Sequence, residues 1–283
     1  GNVYVLDPKK VKVYSPYGRF LKDIFYDRYI TGHAMAGGIE IYNSLLFLPD
    51  FLMEGDSKFN WIILDTLGNL VSSKHNSVPP FHTKYGRPGC VYRFDNKLFY
   101  YNYFNDSIFS INPDLSNNCV YLFAQGDHRW SRSKIEADSF EQFTSQVSKL
   151  FLPIRMFETK KYIVLRYYYL KKAAIAFIEK KTKETFLAIK NNGLQNEDEF
   201  SNFSLTNDLD SGLPLTDMDY CIENDNEYIT TLINPLNLKR HIEKNEFKKL
   251  IPKYPEKKEY LIKLVKSLKE TDNPVLVLVR LKD

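Results

Sequence analysis

Apolar and polar residues alternate along most of this chain with the period of two that a half-buried strand shows. Two stretches carry the pattern best, VKVYSPYGRFLKDI (11–24) and NWIILDTLGNLVSSK (60–74). In each, an alternating strand meets a polar residue, then a glycine three places on (Gly18, Gly68), then a second strand. Five such units can be laid over one another, at 3–24, 38–74, 90–124, 154–189 and 218–244. A strand unit returning roughly every 50–65 residues predicts an all-β chain, a β-propeller with one four-stranded blade per repeat. The first unit has only three strands, so NPVLVLVRLK (273–282) is expected as its fourth, closing the ring.

The joints carry turn chemistry. Asn43, Asp95-Asn96 and Asn224-Asp225-Asn226 separate the first two strands of their units, where left-handed backbone suits a tight hairpin. Gly18 and Gly68 stand where a bulged turn needs positive φ. Later units replace that glycine with NPDLSNN (112–118), KKTKE (180–184) and NPLN (234–237). Two stretches leave the β pattern. Residues 134–150 read as a short polar helix. Residues 246–269 place Leu261, Leu264, Val265 and Leu268 at helical spacing, with Pro252 and Pro255 dividing the stretch into two short helices docked on the propeller. The prolines argue against one basic amphipathic helix lying on a membrane.

Aromatic content of 15%, with 20 Tyr and 20 Phe, fits strands buried on both faces, so the runs YYNYF (100–104) and RYYYL (166–170) read as core. The 39 basic and 35 acidic residues make a mixed surface, not a nucleic-acid footprint. Cys90, Cys119 and Cys221 are odd in number and far apart, which predicts buried free thiols and neither a disulfide framework nor a zinc site. No apolar run reaches the length of a membrane-spanning helix, and no signal peptide is visible.

Motifs for nucleophilic, metal-dependent or nucleotide chemistry are absent. The histidines His33, His75, His82, His128 and His241 are scattered, and His75 with His82 makes an unusual metal pair. The best polar cluster is Asn207, Asp208 and Asp210, followed by Asp217 and Asp219. In an extended segment Asp208 and Asp210 share a face, and paired carboxylates can hold calcium. The full calcium-loop pattern is missing, so a hydrogen-bonded turn is the first expectation and a calcium site built on Asp208 and Asp210 the second. Asn105-Asp106 and Asp272-Asn273-Pro274 read as turns. Glu158 lies in a strand run and needs a partner if buried, for which Arg155 and Arg166 are candidates.

Several segments resemble six-bladed β-propeller proteins of Bacteroidetes, most of them lipoproteins or exported proteins of uncharacterised function. FNDSIFSIN (104–112) is similar to that family's Asn-Asp-Thr-Ile-Tyr segment, and MFETKKYIVL (156–165) to its Glu-Thr strand. TNDLDSGLPL (206–215) resembles its Asn-Asp-Leu-Asp-Gly-Gly-Leu-Pro element, with Ser211 standing for a glycine. ETDNPVLVLVRLK (270–282) is similar to its typical ending. The resemblance implies six blades, with repeats before residue 3 that this chain lacks. It implies a cell-envelope location, with any membrane attachment through a lipid anchor outside this chain. The expected function is a monomeric, non-enzymatic binding or scaffolding module for a glycan or protein partner, without nucleic acid and without a cofactor other than calcium. The alternative is a propeller hydrolase or lyase using channel carboxylates with a divalent cation.

Overall fold

The computed structural model describes residues 1–30, 36–49, 58–76, 89–102, 107–123, 126–129, 137–170, 172–189 and 204–282. Five sheets follow one another along the chain, as blades of a β-propeller. The first contains β1 (Val3–Asp7), β2 (Lys10–Tyr14) and β3 (Phe20–Phe25), and the second β4 (Glu40–Tyr42), β5 (Leu45–Pro49), β6 (Phe59–Leu64) and β7 (Leu70–His75). The third contains β8 (Gly89–Phe94), β9 (Lys97–Asn102), β10 (Ser107–Ile111) and β11 (Asn117–Leu122). The fourth is β12 (Leu152–Glu158), β13 (Tyr162–Tyr169), β14 (Lys172–Glu179) and β15 (Thr185–Ile189). The fifth is β16 (Asp219–Glu223), β17 (Asn226–Ile233) and β18 (Val275–Arg280). Within each sheet the strands lie side by side in chain order. Four helices accompany them among the described residues: α1 (Phe140–Val147), α2 (Pro235–Glu243), α3 (Asn245–Lys249) and α4 (Pro255–Ser267). The chain divides into two compact units, Gly1–Met156 with Leu165–Lys171, and Phe157–Val164 with Lys172–Asp283.

Two turn types identify each strand's role. Asn43-Ser44, Asp95-Asn96 and Asn224-Asp225 are two-residue loops with positive φ at both positions, between Tyr42 and Leu45, Phe94 and Lys97, and Glu223 and Asn226. That is the hairpin turn whose twist matches the strands. It joins the first and second strands of the second, third and fifth sheets. The other type has one positive φ near its end: Gly18 (79°), Gly68 (88°), Leu115 (66°) and Lys183 (64°). It joins β2 to β3, β6 to β7, β10 to β11 and β14 to β15, the third and fourth strands wherever a sheet has four. Asp65 shows the wiring. Its amide donates to Asn69 O, Gly68 N donates back to Asp65 O, and its carboxylate accepts from Leu67 N and Asn69 N. These bonds, with Asn69 Nδ2 foremost, hold the carboxyl below its usual range.

By turn type, then, the first sheet holds strands two to four and the fifth holds strands one to three. The expectation that 275–281 completes the first unit is therefore corrected. β18 pairs with β17, from Ile233↔Val275 to Tyr228↔Arg280. The reason is the insertion of α2, α3 and α4 between the fifth sheet's second and third strands, which delays the third in sequence. LKRHIEK (238–244) and NPLN (234–237), expected as strand and turn, are corrected with it. Asn234 caps Leu236 N at 2.9 Å, Pro235 takes the first helical position, and the chain winds into α2. The helix expected over 134–150 is the shorter α1, capped by Ser139 on Gln142 N, and residues 134–136 lie outside the described set.

Alternation explains the continuous apolar runs. In the second sheet Leu46, Leu48, Ile62 and Leu64 pack against Val11, Val13 and Ile24, while Phe47, Trp61 and Ile63 pack against Leu98, Tyr100 and Ile111. A sheet buried on both faces needs apolar residues at every position. In the second unit, Leu238, Phe247, Leu261 and Val265 pack on Ile233, Val275 and Val277, which docks the helices on β17 and β18.

Buried Glu158, 1% exposed, pairs with Lys180 Nζ at 2.5 Å, a partner the sequence reading did not name. All three cysteines are free, but only Cys90 is buried; Cys119 is exposed on β11, the last strand of its sheet, and Cys221 is half-buried. His128 contacts Lys149 O and the Tyr169 hydroxyl, His241 contacts Ser211 O, and His75 lies against Phe59. His33, His82 and Asn105-Asp106 lie outside the described residues.

Candidate functional site

The segment carrying Asp208 and Asp210 is a loop closed at its base by reciprocal hydrogen bonds between Leu205 and Leu215 (3.0 and 2.9 Å). Inside it, Asn207 Oδ1 accepts from Leu209 N at 3.2 Å and Asn207 Nδ2 donates to Asp210 Oδ1 at 2.7 Å. Asp210 Oδ1 also accepts from Gly212 N at 2.8 Å. The Asp210 carboxylate therefore serves its own turn, as the sequence led us to expect. Ser211 sits at φ 61°, which explains why glycine suits that position. The loop's carbonyls hold the helical insertion: Lys253 N donates to Asp208 O, Tyr254 N to Leu209 O, and His241 Nε2 lies 2.8 Å from Ser211 O.

The other carboxylates do not join it. Asp208 is exposed, Asp217 occupies an exposed left-handed turn, and Asp219 Oδ1 accepts its own neighbour's amide, Tyr220 N. Asp219 and Glu223 instead flank Cys221, whose thiol is pushed up by burial and then by those charges. Among the described residues no three His, Cys, Asp or Glu side chains gather as they would around a metal ion.

A better site lies beside this loop. Leu281 N donates to Glu227 O at 2.9 Å, so that pair exchanges ladder bonds with β17. Alternation along an antiparallel strand then turns Val279, Val277 and Val275 toward β17 and leaves the backbone groups of Leu276, Leu278 and Arg280 pointing away. Leu276 and Leu278 are 56% and 45% exposed. Among the described residues no strand pairs with this outer side of β18, which carries exposed apolar side chains. Along it runs a groove of about 680 Å³, lined among others by Leu209, Asp210, Tyr228, Tyr254, Val277 and Val279. Sequence reasoning reached Asp210 but missed the groove, because its wall joins residues far apart in the chain.

A hydrogen-bonded polar group joins β16 and β17. The Tyr220 hydroxyl donates to Glu227 Oε1, which also accepts from Lys160 N at 2.6 Å. Burial, then the Glu227 contact, raises the Tyr220 hydroxyl well above its usual range. A second cleft of about 660 Å³ lies among α2, α3 and α4, floored by Ile242, Phe247, Ile262 and Val265. Two of its lysines are committed to helix ends. Lys258 Nζ donates to Phe247 O and Leu250 O at 2.7 and 2.6 Å, and Lys239 Nζ to Val265 O at 3.4 Å.

The family model described as a domain of unknown function, DUF4934, matches residues 1–280. The chain belongs to the DUF4934 family. Comparison with curated proteins returns no match. Among solved structures, this DUF4934 chain is similar to a protein described as exported, from Bacteroides fragilis, at 16% identity and TM-score 0.57. That match covers 100% of this chain and 74% of the other. A protein of unknown function from Bacteroides caccae matches at 11% identity and TM-score 0.36, over 81% of this chain and 66% of its own. An auxiliary nutrient binding protein from Bacteroides ovatus matches at 9% and 0.38, over 81% and 49%. The first likeness bears on the fold of the DUF4934 domain, and the other two are too distant to carry an argument.

Proposed function

We propose that this chain is a non-enzymatic binding or scaffolding module of the bacterial cell envelope, and that it takes an extended segment of a protein partner along β18. The observation that carries the reading is the outer side of β18, on which no described strand pairs: backbone groups at Leu276, Leu278 and Arg280 face away from β17 beside a groove of mixed apolar and polar lining. Strand addition supplies affinity through main-chain bonds and specificity through pockets for alternate side chains. The groove's tyrosines suit such side chains. The location is supported by the exported description of the Bacteroides fragilis structure. The six-bladed type is supported by the resemblance of segments such as TNDLDSGLPL (206–215) and ETDNPVLVLVRLK (270–282). We read the protein as a monomer.

The test is selection of peptides from a displayed random library on the immobilised protein, run beside a glycan array. Peptides of alternating apolar pattern are expected. Leu278→Pro should abolish their binding, because proline removes an outward N–H and leaves the β17 ladder intact. Peptides indifferent to Leu278→Pro, or binding to glycans alone, would overturn the strand-addition reading.

A further inference from the structure

We infer that the corner between α3 and α4 docks on an anionic lipid surface. Residues 238–269 hold eleven Lys and Arg against four Glu, leaving 28 basic and 31 acidic residues elsewhere. The chain's positive charge is therefore concentrated in this insertion. At its corner stands an aliphatic pair, Leu250 and Ile251, 50% and 92% exposed. Lys248, Lys249, Lys253 and Lys257 surround the pair in sequence and are all exposed. Tyr260, also exposed, lies one helical turn beyond Lys257.

The exposure is built into the fold. Leu250 N donates to Glu246 O and Phe247 O, ending α3. Lys258 Nζ clasps Phe247 O and Leu250 O from α4. On the far side Pro252 is buried, and Lys253 N and Tyr254 N are held by Asp208 O and Leu209 O. The backbone on both sides of Ile251 is fixed, so the side chain is held in solvent and not frayed there.

Charge complementarity selects an anionic occupant, and the residue types select a bilayer over an acidic protein. Protein interfaces are depleted of lysine at their cores and rest on aromatic and arginine anchors. A protruding isoleucine ringed by lysines fits the headgroup boundary instead: the aliphatic tip enters it and the lysines reach phosphates with their stems against apolar surface. The prolines that exclude one long amphipathic helix form this corner.

Co-sedimentation of the 1–283 protein with phosphatidylcholine vesicles containing about a quarter phosphatidylglycerol tests it. Binding is expected at about 0.1 M salt, is lost at about 0.5 M, and is absent with phosphatidylcholine alone. Ile251→Asp should weaken partitioning by about tenfold or more while the circular dichroism spectrum and melting temperature hold. Lys248→Ala with Lys249→Ala should also weaken it. Absence of vesicle binding would overturn the inference. So would binding that Ile251→Asp leaves unchanged, or retention on an acidic polysaccharide resin without retention on vesicles.

Discussion

Tyr26 offers a test of how the first sheet is held together. The side chain is fully buried, and its hydroxyl donates to Asp7 O at 2.8 Å. It also meets the amide of Ala36, which favours the phenolate slightly. Burial dominates and raises its pKa from 10.0 to about 12. Because the folded-state value is the higher one, the folded protein holds this proton where the unfolded chain has lost it. The stabilisation is complete below pH 10 and disappears as pH rises toward 12. At about 1.4 kcal/mol per unit, the contribution is about 2–3 kcal/mol. In Tyr26→Phe the proton is absent, but Asp7 O loses its donor, which costs about 1 kcal/mol at neutral pH. Urea unfolding of both proteins from pH 7 to 11.5 should give curves that cross: the variant is less stable at pH 7 and loses less above pH 10. The remaining tyrosines titrate in both proteins and cancel. A gap between the two that stays constant with pH would refute the reasoning, and so would a 295 nm titration in which Tyr26 ionises at its ordinary pKa.

Three further outcomes follow from the geometry. Gly68→Ala should cost about 1–2 kcal/mol and exceed Gly18→Ala in chemical denaturation, since both have positive φ but only at Gly68 would a Cβ meet Ile24 Cγ2 at 3.3 Å. Ser211→Gly should raise stability by up to about 1 kcal/mol, seen as a melting temperature about 2 °C higher, because it relieves left-handed backbone at φ 61°. Lys180→Met should cost roughly 3 kcal/mol in urea unfolding by leaving the buried Glu158 carboxylate without its 2.5 Å partner, and adding Glu158→Gln should recover part of the loss.

Local chemistry was legible wherever one residue decides it. Asn43, Asp95 and Asn224 announced their turns because side chains of that type tolerate left-handed backbone. Leu115 and Lys183 adopt the same sign of φ without announcing it, since the fold imposes the angle against their preference. The strand 273–282 was legible as a strand, but its sheet was not. An alternating valine-leucine run pairs equally well with many neighbours, and only the docking of α2, α3 and α4 on β17 and β18 decides which it takes. Cys119 misled for a related reason: it sits in a good strand pattern, but the last strand of its sheet is almost wholly exposed.

The same limit explains why the groove stayed hidden. An Asn-Asp-Leu-Asp run looks like ligand chemistry because it concentrates oxygen, yet Asp210 Oδ1 accepts from Asn207 Nδ2 and Gly212 N, and Asn207 Oδ1 from Leu209 N. The proposed strand addition uses backbone groups instead, which carry no sequence signature. An edge exists only where a neighbouring strand is missing, and that is a property of the whole sheet. The one local sign lies in the turns. The sheet that opens with the Asn224-Asp225 two-residue hairpin reaches no glycine-type turn among the described residues, so its strands are one to three and no described strand pairs with the outer side of the third. The turns therefore point to β18 as the strand on which we propose a partner segment adds, with Tyr228 and Tyr254 lining the groove beside it.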